Sequence, residues 1–153
     1  MPRRYWLFKS EPESYSYDAL VKDKVAEWDG VRNYQARNFL RDSIQEGDGV
    51  LFYHSGGNPL VIVGTAGVTG KGYPDNTAWD AKSNHYDPKS SPENPIWFMV
   101  DIKPDVRFKS PVTVDAMRMN TELKDMMLLK RNRLSVQPVA EKEWNAVLKM
   151  GRT

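Results

Sequence analysis

The segment WDGVRNYQARN, residues 28–38, concentrates side chains of the kinds that bind nucleic acids. Its indole and phenol rings could stack on bases, its two arginines could contact phosphates, and its three carboxamides could hydrogen bond to base edges. The same composition also fits a second interpretation, in which Trp28 and Tyr34 are partly buried rings and the arginines are solvated charges at a helix end. The segment by itself does not separate these two interpretations.

Two other segments resemble catalytic motifs without completing them. GTAGVTGKG, residues 64–72, lacks the first glycine of a phosphate-binding loop and has no Ser or Thr after Lys71. His54 and Ser55 are adjacent in FYHS, but neighbouring residues of a strand point to opposite faces, and no nucleophile-elbow motif accompanies them. We therefore expect His54 to have a structural or ligand-contacting role, and we predict no catalytic residue.

The composition of the 153-residue chain is that of one globular domain, which we expect to span residues 1–153. No apolar run approaches the length of about 18 residues that a membrane-spanning helix needs, and the N-terminal apolar stretch is too short for a signal peptide. With no cysteine and two distant histidines, neither a disulfide nor a metal site is predicted, and no cofactor is expected. We expect an intracellular protein: cytoplasmic and bacterial, as the lack of a basic N-terminal tail suggests, or nuclear if the source is eukaryotic.

The charge and the aromatic content bear on the partner. The net charge of +2 permits a nucleic acid without requiring one, because even a nearly neutral protein can place its basic residues on one face. The aromatic content of 11% is more unusual, since several rings lie among polar neighbours rather than in apolar runs. Some of these rings are therefore candidates for ligand contacts.

The elements that would position these residues follow from the spacing of apolar and turn-forming residues. Strands are predicted where short apolar runs end at Pro or Gly, and helices where apolar residues recur at helical spacing behind a capping residue. The predicted strands are residues 5–8, a hairpin over residues 50–70, residues 96–102 and 106–114 as a second hairpin or one bent strand, and residues 131–139. The predicted helices are one capped by Ser16, one over residues 35–44, one capped by Thr121 and one that ends near Gly151.

The long polar segment from Tyr73 to Pro95 has no apolar period. Loops of this length inside compact domains are usually functional or disordered, and the embedded Trp79, His85 and Tyr86 favour an ordered one. Because the strands are separated by short helices without a regular alternation, we predict an α+β fold, a small mixed β-barrel flanked by short helices.

Four motifs occur together in the order that is typical of the EVE domain, and the chain resembles this family from about residue 4 to about residue 149. They are YWLFKSEPESYSYDAL, WDGVRNYQARN, GDGVLFYHS and RLSVQPV. The resemblance implies a PUA-like fold, a small bent β-barrel flanked by helices and related to the YTH and ASCH domains. It also implies a non-catalytic module that needs no cofactor and recognises a modified base, particularly a modified cytosine in DNA.

The resemblance further implies that the end of the first strand, the loop after Trp28 and the FYHS motif line one pocket. We expect Trp28 to be the stacking floor, with Tyr53 or Trp97 as a second wall. The predicted base-pocket residues are Ser10, Trp28, Asn33, Tyr34, Tyr53, His54, Ser55 and Trp97. The predicted phosphate contacts are Lys9, Arg32, Arg37 and Arg133.

Two other classes of function remain open from the sequence. An ASCH-like protein could bind RNA, or process RNA or nucleosides, with His54 and a nearby acid. A protein-interaction module could use the exposed rings as a hot spot, because Trp, Tyr and Arg are enriched there. The predicted partner is DNA or RNA that carries a modified base, and no membrane partner is expected.

Overall fold

The computed structural model describes residues 3–56, 59–130 and 134–152. Within these ranges the chain forms seven strands and four α-helices. The strands are β1 (Tyr5–Ser10), β2 (Ala26–Trp28), β3 (Gly49–His54), β4 (Val61–Val68), β5 (Tyr73–Pro74), β6 (Phe98–Thr113) and β7 (Val136–Val139). The helices are α1 (Tyr17–Asp23), α2 (Tyr34–Asn38), α3 (Val114–Arg118) and α4 (Glu141–Arg152).

The strands form one mixed sheet in the order β2-β6-β4-β3-β1-β7, and β5 pairs with the start of β6. β1 and β3 are parallel, whereas the other pairs are antiparallel. The pairing of β4 with the long strand β6 shifts register twice, and such irregularities bend a strand and increase its twist. The sheet curls into a half-barrel flanked by short helices, which confirms the predicted α+β mixed-barrel fold.

Side chains of β1 and β3 alternate between two hydrophobic clusters, one on each face of the sheet. Trp6 and Phe8 belong to a cluster that also contains Trp28, whereas Leu7 belongs to a second cluster with Tyr53 and the last helix. Trp28 and Tyr53 are therefore separated by the sheet. This separation decides which side chains can share a binding site.

Several sequence predictions are confirmed. Ser16 caps α1, with its hydroxyl accepting a hydrogen bond from the Ala19 N–H at 3.1 Å. The hairpin over residues 50–70 is present as β3 and β4. The long polar segment is ordered, since it contains β5, a 3₁₀ turn over Asn76–Trp79 and the fully buried Asp75.

Other predicted elements differ from the structure. Of the two alternatives predicted for residues 96–114, the structure has the single bent strand, β6, and not the second hairpin. The helix predicted over residues 35–44 is the short α2 followed by a π-helical turn over Phe39–Ser43. The helix predicted after Thr121 is wrong, because that region forms two short 3₁₀ turns and Asn120 provides the cap.

The last predicted helix is present as α4, but Gly151 lies inside its final turn. The ring of Phe108 packs there, so that a Cβ on residue 151 would lie only 2.5 Å from it.

No helix in the described ranges is long and apolar enough to cross a membrane.

Candidate functional site

A cavity of about 670 Å³ opens on the Trp28 side of the sheet. Three parts of the chain form most of it: the end of β1 with the turn that follows, the segment from the end of α1 through β2 to the next loop, and the long polar segment. The lining residues are Lys9, Ser10, Glu11, Ser14, Tyr15, Asp23, Val25, Ala26, Glu27, Trp28, Asp29, Gly30, Val31, Arg32, His85 and Ser135.

Trp28 is the buried aromatic residue of this cavity, with 8% of its surface exposed. Its ring packs against Phe8 and Phe52, with centroids 5.3 and 5.5 Å away. The half-buried Tyr15 lies edge-on to it at 6.3 Å. Because Phe8 and Phe52 cover much of the indole, Trp28 gives the cavity a rigid floor and Tyr15 contributes the more accessible ring.

The indole N–H of Trp28 has no hydrogen-bond acceptor in the described parts of the chain. In contrast, the indole N–H groups of Trp6, Trp79 and Trp97 donate to Asp48, Ser90 and Asp87. A free donor on the residue that floors the cavity is suited to hydrogen bonding with a ligand.

The loop after Trp28 is held in place by the long polar segment. Gly30 has a positive φ of 76°, and its N–H donates to the buried carboxylate of Asp75 at 2.8 Å. The His85 ring packs so closely on Gly30 that an added Cβ would lie 2.6 Å from it. Glycine at this position therefore satisfies both the left-handed backbone and the close contact.

Asp75 connects this loop to the long polar segment. Besides Gly30, its carboxylate accepts hydrogen bonds from Arg32 at 3.0 Å and from the Thr77 N–H at 2.9 Å. Burial alone raises the pKa of Asp75, but the hydrogen bonds from Thr77, Gly30 and Arg32 outweigh it and lower the pKa below its ordinary value. Asp75 is thus a structural carboxylate that stays ionised.

Arg32 lies at the cavity wall, but its guanidinium is used by the protein itself. Nε and Nη2 donate to the His85 carbonyl at 3.1 and 2.5 Å, and Nη1 donates to the Val31 carbonyl and to Asp75. Nη2 also contacts the Thr77 hydroxyl at 3.4 Å. These bonds engage the N–H donors of Arg32 within the protein, and its predicted phosphate contact stays a prediction.

Tyr34, Trp97 and Arg37 form a stack outside the cavity. The rings of Tyr34 and Trp97 lie 4.9 Å apart, and the Arg37 guanidinium lies 5.1 Å from the Tyr34 ring. Tyr34 is 58% exposed, whereas Trp97 is buried and donates its N–H to Asp87. The structure does not place Trp97 or Tyr34 in the cavity, and Arg37 donates to the Ile96 carbonyl at 2.6 Å.

Tyr53 and Asn33 are also separated from the cavity. Tyr53 is buried in the cluster on the opposite face of the sheet, so the predicted second wall is corrected. Asn33 caps α2, because its side-chain oxygen accepts a hydrogen bond from the Ala36 N–H at 3.0 Å. The cap uses the side-chain oxygen of Asn33, and its predicted role in reading a base edge stays a prediction.

His54 and Ser55 extend the pairing of β1 with β3 and do not line the cavity. The Ser55 N–H donates to the Ser10 carbonyl at 3.0 Å. His54 Nε2 accepts a hydrogen bond from the Tyr17 N–H at 3.1 Å, which requires the neutral imidazole. Burial lowers the pKa of His54 and favours this neutral form.

Four predicted site residues do lie together at the cavity: Lys9, Ser10, Trp28 and Arg32. The Ser10 hydroxyl donates to the Tyr15 carbonyl at 2.5 Å, which positions the turn. The Lys9 ammonium has no acceptor in the described parts of the chain, and burial lowers its pKa. Arg133 lies outside the described residues, so its phosphate contact stays a prediction.

Among the lining residues that were absent from the predicted set, Tyr15, Asp29 and His85 have side chains suited to ligand contacts. Asp29 lies within residues 28–38, and His85 lies in the long polar segment. The Tyr15 hydroxyl donates to Asp23 at 2.9 Å, and its burial and this carboxylate raise its pKa to about 12. Only the folded chain brings these three residues together.

The charges around the cavity favour a neutral ligand. Two basic side chains, Lys9 and Arg32, line it together with four carboxylates: Glu11, Asp23, Glu27 and Asp29. A phosphate group inside this cavity would face net repulsion, whereas a neutral aromatic ring with polar edges would not.

Comparisons with known proteins agree with the motifs. The EVE domain model matches residues 4–150. Thymocyte nuclear protein 1 of Mus musculus is 38% identical and is covered over 74% of its length by 97% of this chain. A hypothetical protein from Leishmania major has 43% identity and a TM-score of 0.93, over 98% of this chain and 95% of that one.

A third relative is the human THYN1 protein, whose crystal structure is a complex with DNA containing 5-methylcytosine. It has 36% identity and a TM-score of 0.90, over 98% of each chain. The matched motifs, the mixed half-barrel and these relatives agree, and the chain therefore belongs to the EVE domain family, with its PUA-like fold.

Proposed function

We propose that this chain binds DNA containing a modified cytosine and holds the modified base, extruded from its strand, in the cavity over Trp28. The observation that carries the proposal is the cavity itself, which has an aromatic floor, free polar groups and a volume typical of small-ligand sites. The complex of the human THYN1 protein with DNA containing 5-methylcytosine supports the choice of ligand. The module acts by binding and not by catalysis.

The energetics require more than stacking. Extruding a base costs a few kcal/mol, and stacking it on an aromatic ring returns about 1 to 3 kcal/mol. Tyr15 offers the accessible ring, and Trp28 offers a rigid floor with a free N–H. The remaining affinity must come from the edge of the base and from its methyl group, and the apolar lining residues Ala26 and Val31 offer a slot for a methyl.

The charge distribution favours binding of the base inside the cavity and of the DNA phosphates outside it. Because carboxylates outnumber basic groups around the cavity, the DNA phosphates lie outside it and contact basic residues of the surrounding surface. The segment that contains Arg133 immediately precedes the lining residue Ser135 along the chain, which supports that arginine as a phosphate contact.

The test is a binding series measured by fluorescence anisotropy at two salt concentrations. Oligonucleotides that carry 5-methylcytosine or cytosine at one position are titrated with the wild type and with Tyr15→Ala, Trp28→Phe and Tyr34→Ala. Phenylalanine is used at residue 28 because alanine there would leave a large core cavity. In Tyr15→Ala and Trp28→Phe, we expect the ratio of the affinities for 5-methylcytosine and cytosine to fall at least tenfold.

Tyr34→Ala is the matched control, because it removes an exposed ring that lies outside the cavity. We expect it to retain the preference for 5-methylcytosine. Equal preference in all four proteins would overturn the cavity model. Affinity that does not fall log-linearly with salt would indicate a protein-interaction module instead, and tighter binding of matched RNA would move the partner to RNA.

A further inference from the structure

We propose that Asp29 distinguishes cytosine from thymine by accepting a hydrogen bond from the exocyclic N4 amine of the bound base. This inference rests on the proposed function of the cavity and names the group that reads the base edge. A second contact is needed because thymine carries the same C5-methyl group as 5-methylcytosine, so a slot that fits the methyl cannot distinguish the two bases.

The first observation is which carboxylates of the cavity are free. Asp23 accepts a hydrogen bond from the Tyr15 hydroxyl at 2.9 Å, and Glu27 accepts one from the Tyr73 hydroxyl at 3.2 Å. The side chains of Glu11 and Asp29 accept no hydrogen bond from another side chain within the ranges that the structure describes, and the favourable interactions of the Asp29 carboxylate are with its own backbone N–H and with the charge of His85. These two carboxylates are therefore the ones in the cavity that no protein side chain already engages by a hydrogen bond.

The second observation separates these two residues. The side chain of Glu11 starts beside Gly56, since a Cβ added to Gly56 would lie 3.2 Å from the Glu11 Cγ. Asp29 directly follows Trp28, and its own N–H donates to the Glu27 carbonyl at 3.0 Å. The next residue, Gly30, is fixed by Asp75 and His85. Asp29 is thus the short, positioned carboxylate beside the aromatic floor.

Asp29, like Glu11, is an exposed residue, and its carboxylate is only partly buried by its surroundings. This burial, followed by the nearby carboxylate of Asp75, raises the pKa of Asp29. A hydrogen bond made in a partly desolvated site contributes more to discrimination than one made in water, because the unpaired alternative is costly.

The third observation is the pattern of free groups. The free groups of the cavity include, besides the carboxylates of Asp29 and Glu11, two donors without a protein acceptor in the described ranges, the Lys9 ammonium and the Trp28 N–H. The Watson–Crick edge of cytosine has one donor, the N4 amine, and two acceptors, N3 and O2. Asp29 together with these two donors therefore offers a set of groups that is complementary to cytosine.

Thymine does not match this pattern. Its O4 would face the Asp29 carboxylate as a second acceptor, and its N3–H would face a donor of the protein. Sites that hydrogen bond to a polar group reject analogues that cannot do so, because the polar groups of the site are left unpaired. The repulsion of O4 makes Asp29 a specificity-determining residue.

The experiment uses single-stranded oligonucleotides, so that differences in base pairing do not contribute. Each carries 5-methylcytosine, thymine, cytosine or 5-methylpyrimidin-2-one at one position, the last being 5-methylcytosine without its amine. We expect the wild type to prefer 5-methylcytosine over thymine by at least tenfold. In Asp29→Asn we expect this ratio to fall to threefold or less, because a carboxamide can turn its N–H₂ toward O4.

Glu11→Gln is the matched control, since it removes the same charge from a free carboxylate at the same cavity. It should change the affinity for all oligonucleotides equally and leave the ratio unchanged. Loss of the amine from the ligand should weaken wild-type binding at least fivefold but weaken binding to Asp29→Asn by less than twofold. This ligand-side comparison does not depend on the stability of a variant.

The outcomes separate the two proposals. A wild type that prefers 5-methylcytosine over cytosine, together with an unchanged 5-methylcytosine to thymine ratio in Asp29→Asn, overturns the role of Asp29 and leaves the proposed function standing. If the 5-methylcytosine to thymine ratio falls in Glu11→Gln instead, the contact belongs to Glu11, and this result also overturns the role of Asp29. A wild type that binds methylated and unmethylated oligonucleotides equally contradicts the proposed function itself.

Discussion

The imidazole of His85 packs directly on the backbone of Gly30, although the two residues are far apart in the sequence. A Cβ at residue 30 would lie 2.6 Å from two ring atoms of His85. Together with the Gly30 N–H···Asp75 hydrogen bond, this contact couples the long polar segment to the loop that follows Trp28. The shape of the cavity therefore depends on residues that do not contact its floor.

This coupling predicts the effect of Gly30→Ala. Its left-handed φ costs a non-glycine residue about 1 to 2 kcal/mol, and the methyl group must also displace His85. We expect a lower free energy of unfolding in urea and at least tenfold weaker binding of DNA containing 5-methylcytosine. Gly47→Ala is the control, because residue 47 has a φ of 91° but no atom within 4 Å of the added Cβ. It should lose stability but keep its DNA affinity, and a similar loss of affinity would contradict the coupling.

Arg32→Lys tests whether this guanidinium is structural. A lysine cannot make the forked contacts to His85, Val31 and Asp75, so the buried Asp75 loses a charged partner. We expect about 2 kcal/mol less stability in urea unfolding. The slope of log affinity against log salt should stay that of the wild type. A slope smaller by about 1 would show that Arg32 contacts a phosphate.

The hydrogen bond between the Tyr17 N–H and His54 predicts a dependence of stability on pH. Burial makes the pKa of His54 in the folded protein lower than its unfolded value of about 6.5. Its contribution to stability is therefore fully present above pH 6.5 and is lost as the pH falls through the folded pKa. His54→Gln keeps a side-chain acceptor that does not titrate in this range. We expect a smaller loss of melting temperature between pH 7 and pH 5 in this variant, and an identical loss would contradict the assignment.

Val31→Ala tests the slot for the methyl group. Val31 is 5% exposed and lines the cavity, so its truncation enlarges the slot and removes apolar contacts. We expect the preference for 5-methylcytosine over cytosine to fall about fivefold, which corresponds to about 1 kcal/mol. Val63→Ala, in the same hydrophobic cluster but outside the cavity, should lose similar stability and keep the preference. If both variants keep it, the methyl group binds elsewhere.

The sequence predicted the fold well, because strand alternation, the Ser16 cap and the β3–β4 hairpin depend on local patterns. The same alternation predicts that Tyr53 and Phe52 point to different faces of the sheet, but only the folded sheet shows that Trp28 shares the face of Phe52. Asn33 likewise precedes a helical pattern in a position that favours a cap.

The rest of the candidate site could not be predicted, because it depends on contacts between distant segments. Arg32 and Asp75 meet only after the long polar segment folds over the loop, and no local spacing indicates this contact. The same holds for His85 against Gly30. The sequence therefore predicts Arg32 as a phosphate contact, whereas in the folded chain its guanidinium donates to the protein itself.

The most direct test of the extruded-base model is the indole ¹H–¹⁵N NMR spectrum of the five tryptophans during titration with DNA containing 5-methylcytosine. The free Trp28 N–H at the cavity floor should shift or broaden with the methylated oligonucleotide and change much less with the unmethylated one. Trp6, whose N–H is bonded to Asp48 away from the cavity, should stay unchanged. A Trp28 signal that does not move at saturation would contradict the model.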